Sequence, residues 1–276
     1  MTVAKALVLT GFGLNCDYET DYALKLAGAE SHRVHINEVI AGSLSGPLLA
    51  QYHILVFGGG FSWADDHGAG VLLALKIKNS MGEQLHRFIQ GGKLVIGICN
   101  GFQSLVNLGL LPGFDGKYND RRVALIANDS GNFRNTWVRL KISAHTPCVF
   151  TKGISQIELP VRHGEGKFYA ADEDIENLFE NHQVVMQYTD EKGNEAARQW
   201  PMNPNGSLKD IAGICDPSGR IFGLMPHPEA FHHLTNHPDW PMKKEILIRQ
   251  GKRFEDIEGD GIKIFRNAVE YVKENF

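Results

Sequence analysis

The chain has 276 residues, 43% hydrophobic and 22% charged, a balance that excludes a disordered, collagen-like or membrane-bundle protein. Its 28 Lys and Arg against 32 Asp and Glu leave a net charge of −4, so no global positive field exists to hold a nucleic-acid backbone. Cys16, Cys99, Cys148 and Cys215 are too widely spaced for CxxC pairs and too few for a disulfide scaffold, which predicts a reducing cytoplasm.

Ala4 to Leu9 reads as a short apolar strand running into Thr10-Gly11-Phe12-Gly13, with helical spacing from Asp17 to Ala27. Ser31 to Ile36 is a second predicted strand, and His53 to Phe57 a third, closed by Gly58-Gly59-Gly60. Val71 to Ile89 has helical spacing around a break near Ser80-Met81-Gly82. Lys93 to Ile98 is a fourth strand, feeding a helix from Asn100 to Leu110. Near-continuous apolar strands alternating with helices predict an α/β sandwich around a parallel sheet, with ligands beyond the strands' carboxyl ends. That rule selects Gly11–Asp17, Gly58–Asp66 and Cys99–Gln103.

Past residue 120 the signals turn antiparallel, with strands at Arg122–Ala127, Trp137–Ile142, Gln156–Val161 and Val184–Tyr188. A hairpin follows from Ile211–Cys215 to Ile221–Met225, around Asp216-Pro217-Ser218-Gly219 with Pro and Gly where a type I turn prefers them. An amphipathic helix spans Gly261 to Asn275. Without a repeat, a low-complexity tract or a linker, one domain over 1–276 is expected.

Gly97-Ile98-Cys99-Asn100-Gly101 is a G-x-C-x-G sequence between predicted strand and helix, the thiol counterpart of a nucleophile elbow. A thiol at a helix N-terminus faces the positive end of the helix dipole, which favours the reactive thiolate. The free amides of that first turn suit an oxyanion. A lone cysteine in an α/β core is usually structural; the strand and helix on either side favour the nucleophile.

A nucleophilic thiolate needs a base and a group to orient it. Met225-Pro226-His227-Pro228-Glu229 offers both. Each proline disfavours helix in the residue before it, so His227 is expected extended, with Glu229 on the same side. Gly58-Gly59-Gly60-Phe61-Ser62 would let backbone amides approach a ligand and donate to the oxyanion. Gly11-Phe12-Gly13-Leu14-Asn15-Cys16 starts like a dinucleotide fingerprint, but Cys16 replaces the third glycine, so no nicotinamide cofactor is expected.

Together these residues resemble the class I (triad) glutamine amidotransferase family, whose fold is a flavodoxin-like three-layer sandwich. Asn15-Cys16-Asp17, Gly59-Gly60-Phe61-Ser62, Cys99-Asn100-Gly101-Phe102-Gln103, His163-Gly164-Glu165-Gly166 and Asn203-Pro204-Asn205-Gly206-Ser207 narrow the likeness. Within that family they are similar to the glutaminase subunits of phosphoribosylformylglycinamidine synthase. The resemblance implies that Cys99 attacks the glutamine side-chain amide, forming a γ-glutamyl thioester and ammonia. His227 would be the acid/base and Glu229 its orienter. Gly59 or Gly60 and Asn100 would supply the oxyanion hole, and Gln103 with His163, Gly164 and Glu165 would help hold glutamine. It also implies a synthetase partner, with a small accessory subunit, that uses ATP and Mg²⁺; no cofactor is expected in this chain.

Three positions depart from the family's usual pattern: Ala64 for a glycine, Ala230 for an arginine after PHPE, and Ala127 for the arginine before Asn128. They bear on the partner more than on glutamine hydrolysis. A stretch at about 231–258 is longer than the family pattern and reads as an insertion, expected to form a docking surface or a lid. Its His233 and His237 could share a helical face, but Pro238 disturbs that helix and no third ligand accompanies them, so no metal is expected. Lys243, Lys244, Arg249, Lys252 and Arg253 read as a solvated face. Three other readings stay open: an amidotransferase for a different synthetase, a γ-glutamyl hydrolase or cysteine peptidase on the same fold, and a non-catalytic regulatory subunit.

Overall fold

A computed structural model describes residues 2–45, 48–253 and 257–276. Its elements in chain order begin β1 (Lys5–Thr10), α1 (Asp17–Leu26), β2 (Glu30–His35), α2 (Ile36–Ser45), β3 (Ile54–Phe57), α3 (Val71–Gln90), β4 (Leu94–Ile98) and α4 (Asn100–Asn107). They continue β5 (Val123–Ile126), β6 (Arg134–Ile142), β7 (Gln156–His163), β8 (Lys167–Ala170), α5 (Asp172–Glu180) and β9 (Val184–Thr189). The last are β10 (Ile211–Cys215), β11 (Ile221–Leu224), α6 (Trp240–Arg249) and α7 (Ile262–Asn275).

Nine strands form one sheet in the order β2-β1-β3-β4-β11-β10-β9-β6-β7, while β5 and β8 pair separately. From β2 to β11 all neighbours are parallel. From β11 to β7 all are antiparallel. The parallel half has the 2-1-3-4-5 order of flavodoxin-like folds. Every residue of β3, β4 and β11 is buried, as their unbroken apolar sequences require of strands covered on both faces. At roughly 1.5–3 kcal/mol per fully buried Val, Leu, Ile or Phe, these strands anchor the core. α1 packs with α7, and α3 with α2 and α4, forming two helix layers.

The predicted break in α3 falls at Met81, whose φ of −149° interrupts the helix. The hairpin also forms as expected, closed by Gly219 N–H donating to Asp216 O at 3.0 Å. Four elements escaped the sequence reading. α2 starts at Ile36, where the strand was expected to end, and β8 is only four residues long. α5 carries Asp172, Glu173 and Asp174 in its first turn and buries Ile175 and Leu178, a legible signal of acidic N-terminus and helical spacing. α6 has Pro241 in its first turn and buries no residue, so no apolar stripe announced it.

The segment at 231–258 leaves and returns at one place. His233 and Glu258 form an antiparallel bridge, Gly259 N–H donates to His232 O, and Gly261 N–H donates to Phe231 O. Its histidines do not share a helix: a single 3₁₀ turn spans Leu234–Asn236, and His237 follows it. His237 Nε2 lies 2.9 Å from Glu158 Oε2 and Lys243 Nζ lies 2.8 Å from the same oxygen, fastening the segment to β7. The two histidines have separate partners, His233 Nδ1 lying 2.8 Å from Thr235 Oγ1 and His237 Nε2 bonding Glu158. No helix among the described residues is long and apolar enough to cross a membrane.

Candidate active site

The carboxyl ends of β1, β3 and β4 lie side by side in the sheet, which gathers the three loops singled out from sequence. Cys99 sits between β4 and α4 with φ 51° and ψ −105°, a positive φ that strains a residue with a β-carbon. The flanking glycines explain how the elbow fits. A β-carbon on Gly97 would stand 2.7 Å from the Gly101 backbone, and one on Gly101 would stand 1.8 Å from Phe57 O. Cys99 N–H is held by Leu224 O at 2.8 Å, and its thiol donates to Arg162 O at 3.6 Å. Strands β11 and β7 therefore fix the nucleophile candidate from both halves of the sheet.

His227 follows β11 with φ −106° and ψ 90°, extended as the prolines dictate. Its amide donates to Pro160 O at 2.8 Å. Glu229 does not continue the extension but enters a 3₁₀ turn at Pro228–Ala230, which brings its Oε1 to 2.6 Å from His227 Nδ1. Both side chains are essentially fully buried. Burial alone would push the imidazole down, but the Glu229 carboxylate, with Cys99 and Cys16 adding, raises His227 well above its usual range. His227 Nε2 and Glu229 Oε2 have no hydrogen-bond partner among the described residues. Such buried atoms cost roughly 1–3 kcal/mol each, an expense typical of functional sites.

The oxyanion candidates come from two loops sewn together. Gly59 O accepts from both Asn15 and Cys16 N–H at 3.3 Å, while Phe61 N–H donates to Gly13 O at 2.9 Å. Because a peptide is planar and trans, a Gly59 carbonyl turned onto Asn15 and Cys16 points the Gly60 N–H the opposite way. Asn100 N–H, at the start of α4, has no partner within its own helix.

Gln103 Nε2 donates to Glu165 O, and its Oε1 accepts from Asn100 Nδ2 at 3.3 Å. The His163 side chain is occupied elsewhere, 3.2 Å from Asn128 Oδ1 and 3.5 Å from Asn205 Nδ2, and burial, with His227 nearby, pushes it down to about 3. A neutral, fully engaged His163 is a structural tie, so the HGEG stretch meets the site through its backbone and Glu165. Gly164 O is likewise held by Asn128 N–H at 2.9 Å. Asn203 Oδ1 accepts from Asn205, Gly206 and Ser207 amides, and Asn205 Nδ2 donates to Gly166 O at 2.8 Å. The NPNGS and HGEG stretches thus form one clamp.

Two features of the site were not read from sequence. Cys16 Sγ stands 4.0 Å from His227 Nδ1, and burial raises this thiol, so it remains protonated beside the imidazole. Ligand atoms of Cys16, His227 and Glu229 lie within 4.8 Å of one another, close enough for a metal, but His227 Nδ1 is already bonded to Glu229. Asp65 accepts from Asn100 Nδ2 at 2.9 Å, which brings the FSWAD loop to the elbow. Its proximity depends on a turn through Trp63 and Ala64 at positive φ, which spacing alone does not announce.

Comparison with known proteins agrees with this geometry. Residues 3–272 match the model of the CobB/CobQ-like glutamine amidotransferase domain. The chain is 47% identical over 271 residues to phosphoribosylformylglycinamidine synthase subunit PurQ of Methanococcus maripaludis, covering 98% of this chain and 97% of the relative. A protein of the same name from Dehalococcoides mccartyi is 45% identical, with 99% and 100% covered. A chain in the structure of PurLQS from Thermotoga maritima superposes with a TM-score of 0.68 at 29% identity, with 98% of this chain and 100% of that chain covered. The chain belongs to the family of CobB/CobQ-like glutamine amidotransferase domains.

Proposed function

We propose that this chain is the glutaminase subunit of a phosphoribosylformylglycinamidine synthase, supplying ammonia for purine biosynthesis. The observation that carries the reading is the buried His227–Glu229 pair, whose imidazole interacts with Cys99, in a chain matching relatives of that name over nearly its whole length. The same pairing speaks against a non-catalytic subunit.

In this mechanism the Cys99 thiolate attacks the side-chain amide carbon of glutamine, and the oxyanion is received by Gly60 N–H and Asn100 N–H. His227 Nε2 donates a proton to the departing nitrogen, so the C–N bond breaks and ammonia leaves behind a γ-glutamyl thioester. The same nitrogen then takes a proton from water, whose oxygen attacks the thioester carbon. Collapse of the adduct releases glutamate and restores the thiol. Glu229 holds the imidazole in position and stabilises its cationic form.

The partners are a synthetase subunit and a small accessory subunit. ATP and Mg²⁺ are assigned to the synthetase, since thiol–imidazole chemistry in this chain requires neither. The reducing cytoplasm suits four unpaired buried cysteines, one of them the nucleophile. The test is glutamate release from glutamine, with and without the synthetase, for the wild type and Cys99→Ala. The variant should lose glutamate release while the assembled complex still uses added ammonium. A wild type that hydrolyses γ-glutamyl peptides and ignores the synthetase would overturn the reading.

A further inference from the structure

Cys16, to which the mechanism gives no task, ties the acid/base residue to the loop of the oxyanion donors. It stands just ahead of α1, in the loop after β1, and is buried. Its backbone is pinned on both sides: the N–H donates to Gly59 O at 3.3 Å, while its carbonyl accepts from Thr20 N–H at 3.0 Å and from Thr20 Oγ1 at 2.6 Å. Thr20 is itself fully buried in α1. With the backbone held, the thiol keeps a single torsion with three staggered positions.

The side chain reaches from this anchor to the imidazole. Its thiol donates to Asn15 Oδ1 at 3.5 Å, so the sulfur is left as an acceptor, 4.0 Å from His227 Nδ1. The Glu229 carboxylate can only accept, so the proton on Nδ1 belongs first to the 2.6 Å bond with Glu229 Oε1. Sulfur at 4.0 Å is a weak second acceptor and, above all, a body against which the ring rests. A β-carbon on Gly59 would stand 3.1 Å from Cys16 Sγ and 2.7 Å from His227 Cε1, so the space between sulfur, glycine backbone and ring edge is too small for a methyl group. One hydrogen bond tolerates a broad range of angles, and the bond to Glu229 leaves the ring some tilt. The sulfur contact limits that tilt.

We infer that Cys16 is a positioning residue, a strut that holds the His227 ring and the Gly59–Gly60 peptide in one fixed relation, so that proton donor and oxyanion donor act on the same amide group. The inference rests on the glutaminase reading and adds what keeps two of its parts in register. Cys16 takes no covalent step, since burial raises its thiol and keeps it protonated. Sulfur suits the role because it is large and soft: a serine oxygen is smaller and sits on a shorter bond, and alanine leaves the space empty.

The test pairs glutaminase kinetics of the chain assembled with saturating synthetase with the proton NMR signal of His227 Nδ1–H in the free chain. A 2.6 Å bond to a carboxylate shifts that signal far downfield, and its absence from His227→Asn assigns it. Cys16→Ala should lower kcat by about ten- to a hundredfold, the scale of a group misplaced by up to 1 Å, while KM for glutamine changes by no more than a few-fold. The Nδ1–H signal should move upfield or broaden as the ring gains freedom. Cys16→Ser should recover part of both losses, and it carries the same comparison against wild type where Cys16→Ala fails to fold. An unchanged kcat overturns the inference, as does a fall in kcat with the Nδ1–H signal unmoved, or a rise in KM that matches the loss of kcat. A wild type that releases no glutamate would overturn the glutaminase reading instead, and the Nδ1–H signal would still decide whether Cys16 sets the ring.

Discussion

Gly59 lies directly against the imidazole of His227: a β-carbon at this position would stand 2.7 Å from His227 Cε1 and 3.1 Å from Cys16 Sγ. The imidazole cannot retreat freely, since Nδ1 is held by Glu229 and the backbone by Pro160. Gly59→Ala should therefore displace the ring and lower kcat by about a hundredfold, the scale of a 1 Å misplacement. Thermal unfolding should change by only a few degrees, about 1 kcal/mol. Glutaminase kinetics beside a melting curve check this, and an unchanged kcat would contradict the contact.

Glu229→Gln should remove the main group that raises His227. The imidazole then titrates at lower pH, observable by NMR, and kcat falls by about 10²–10⁴-fold as its orienter loses charge. The stability effect has a definite sign. A histidine raised in the folded state stabilises fully below its unfolded value near 6.5, and that contribution fades as pH rises through the folded value. Wild type should lose stability over that alkaline range more steeply than Glu229→Gln.

Gly101→Ala tests the elbow itself. Its β-carbon would fall 1.8 Å from Phe57 O, a backbone atom of the central sheet that cannot swing away. The expected cost is about 3 kcal/mol or more, seen as a lowered denaturation midpoint or failure to fold. Gly116→Ala serves as a control, because no atom lies within 4 Å of its β-carbon position and the strain of its φ of +70° alone remains.

Glu158 binds Lys243, Arg139 and His237, and although burial would raise its carboxyl, these cations hold it down to about 2. A depressed carboxyl stabilises above its unfolded value near 4.5, and that stability is lost as pH falls through about 2. Glu158→Gln should cost about 1 kcal/mol near neutrality, since the side chain keeps 25% of its surface exposed and its attractions are screened. The difference from wild type should shrink between pH 4.5 and 2, as acid titration followed by circular dichroism can show.

The segment at 231–258 begins and ends at the His233–Glu258 bridge, so a short linker joining its two ends should leave the nine-stranded sheet folded. Intrinsic glutaminase activity should persist, and stimulation by the synthetase should fall if this segment is a docking surface or lid. Unchanged stimulation would remove that role from it.

What the sequence determined by itself was local. Gly97-Ile98-Cys99-Asn100-Gly101 and Pro226-His227-Pro228-Glu229 are contiguous, and backbone sterics between near neighbours suffice to predict a strained elbow and an extended histidine. The fully buried strands were also legible, because a strand covered on both faces must be apolar throughout. Where the local signal was weak, as in the solvent-facing α6 and the four-residue β8, it was missed. Tertiary structure decided what meets what. Strand order placed β11 beside β4, and with it His227 beside Cys99. The interlocked loops after β1 and β3 set Cys16 and Gly59 against the imidazole, and a turn at positive φ carried Asp65 to Asn100. These meetings depend on long-range pairing and close packing, which no spacing within a single sequence encodes.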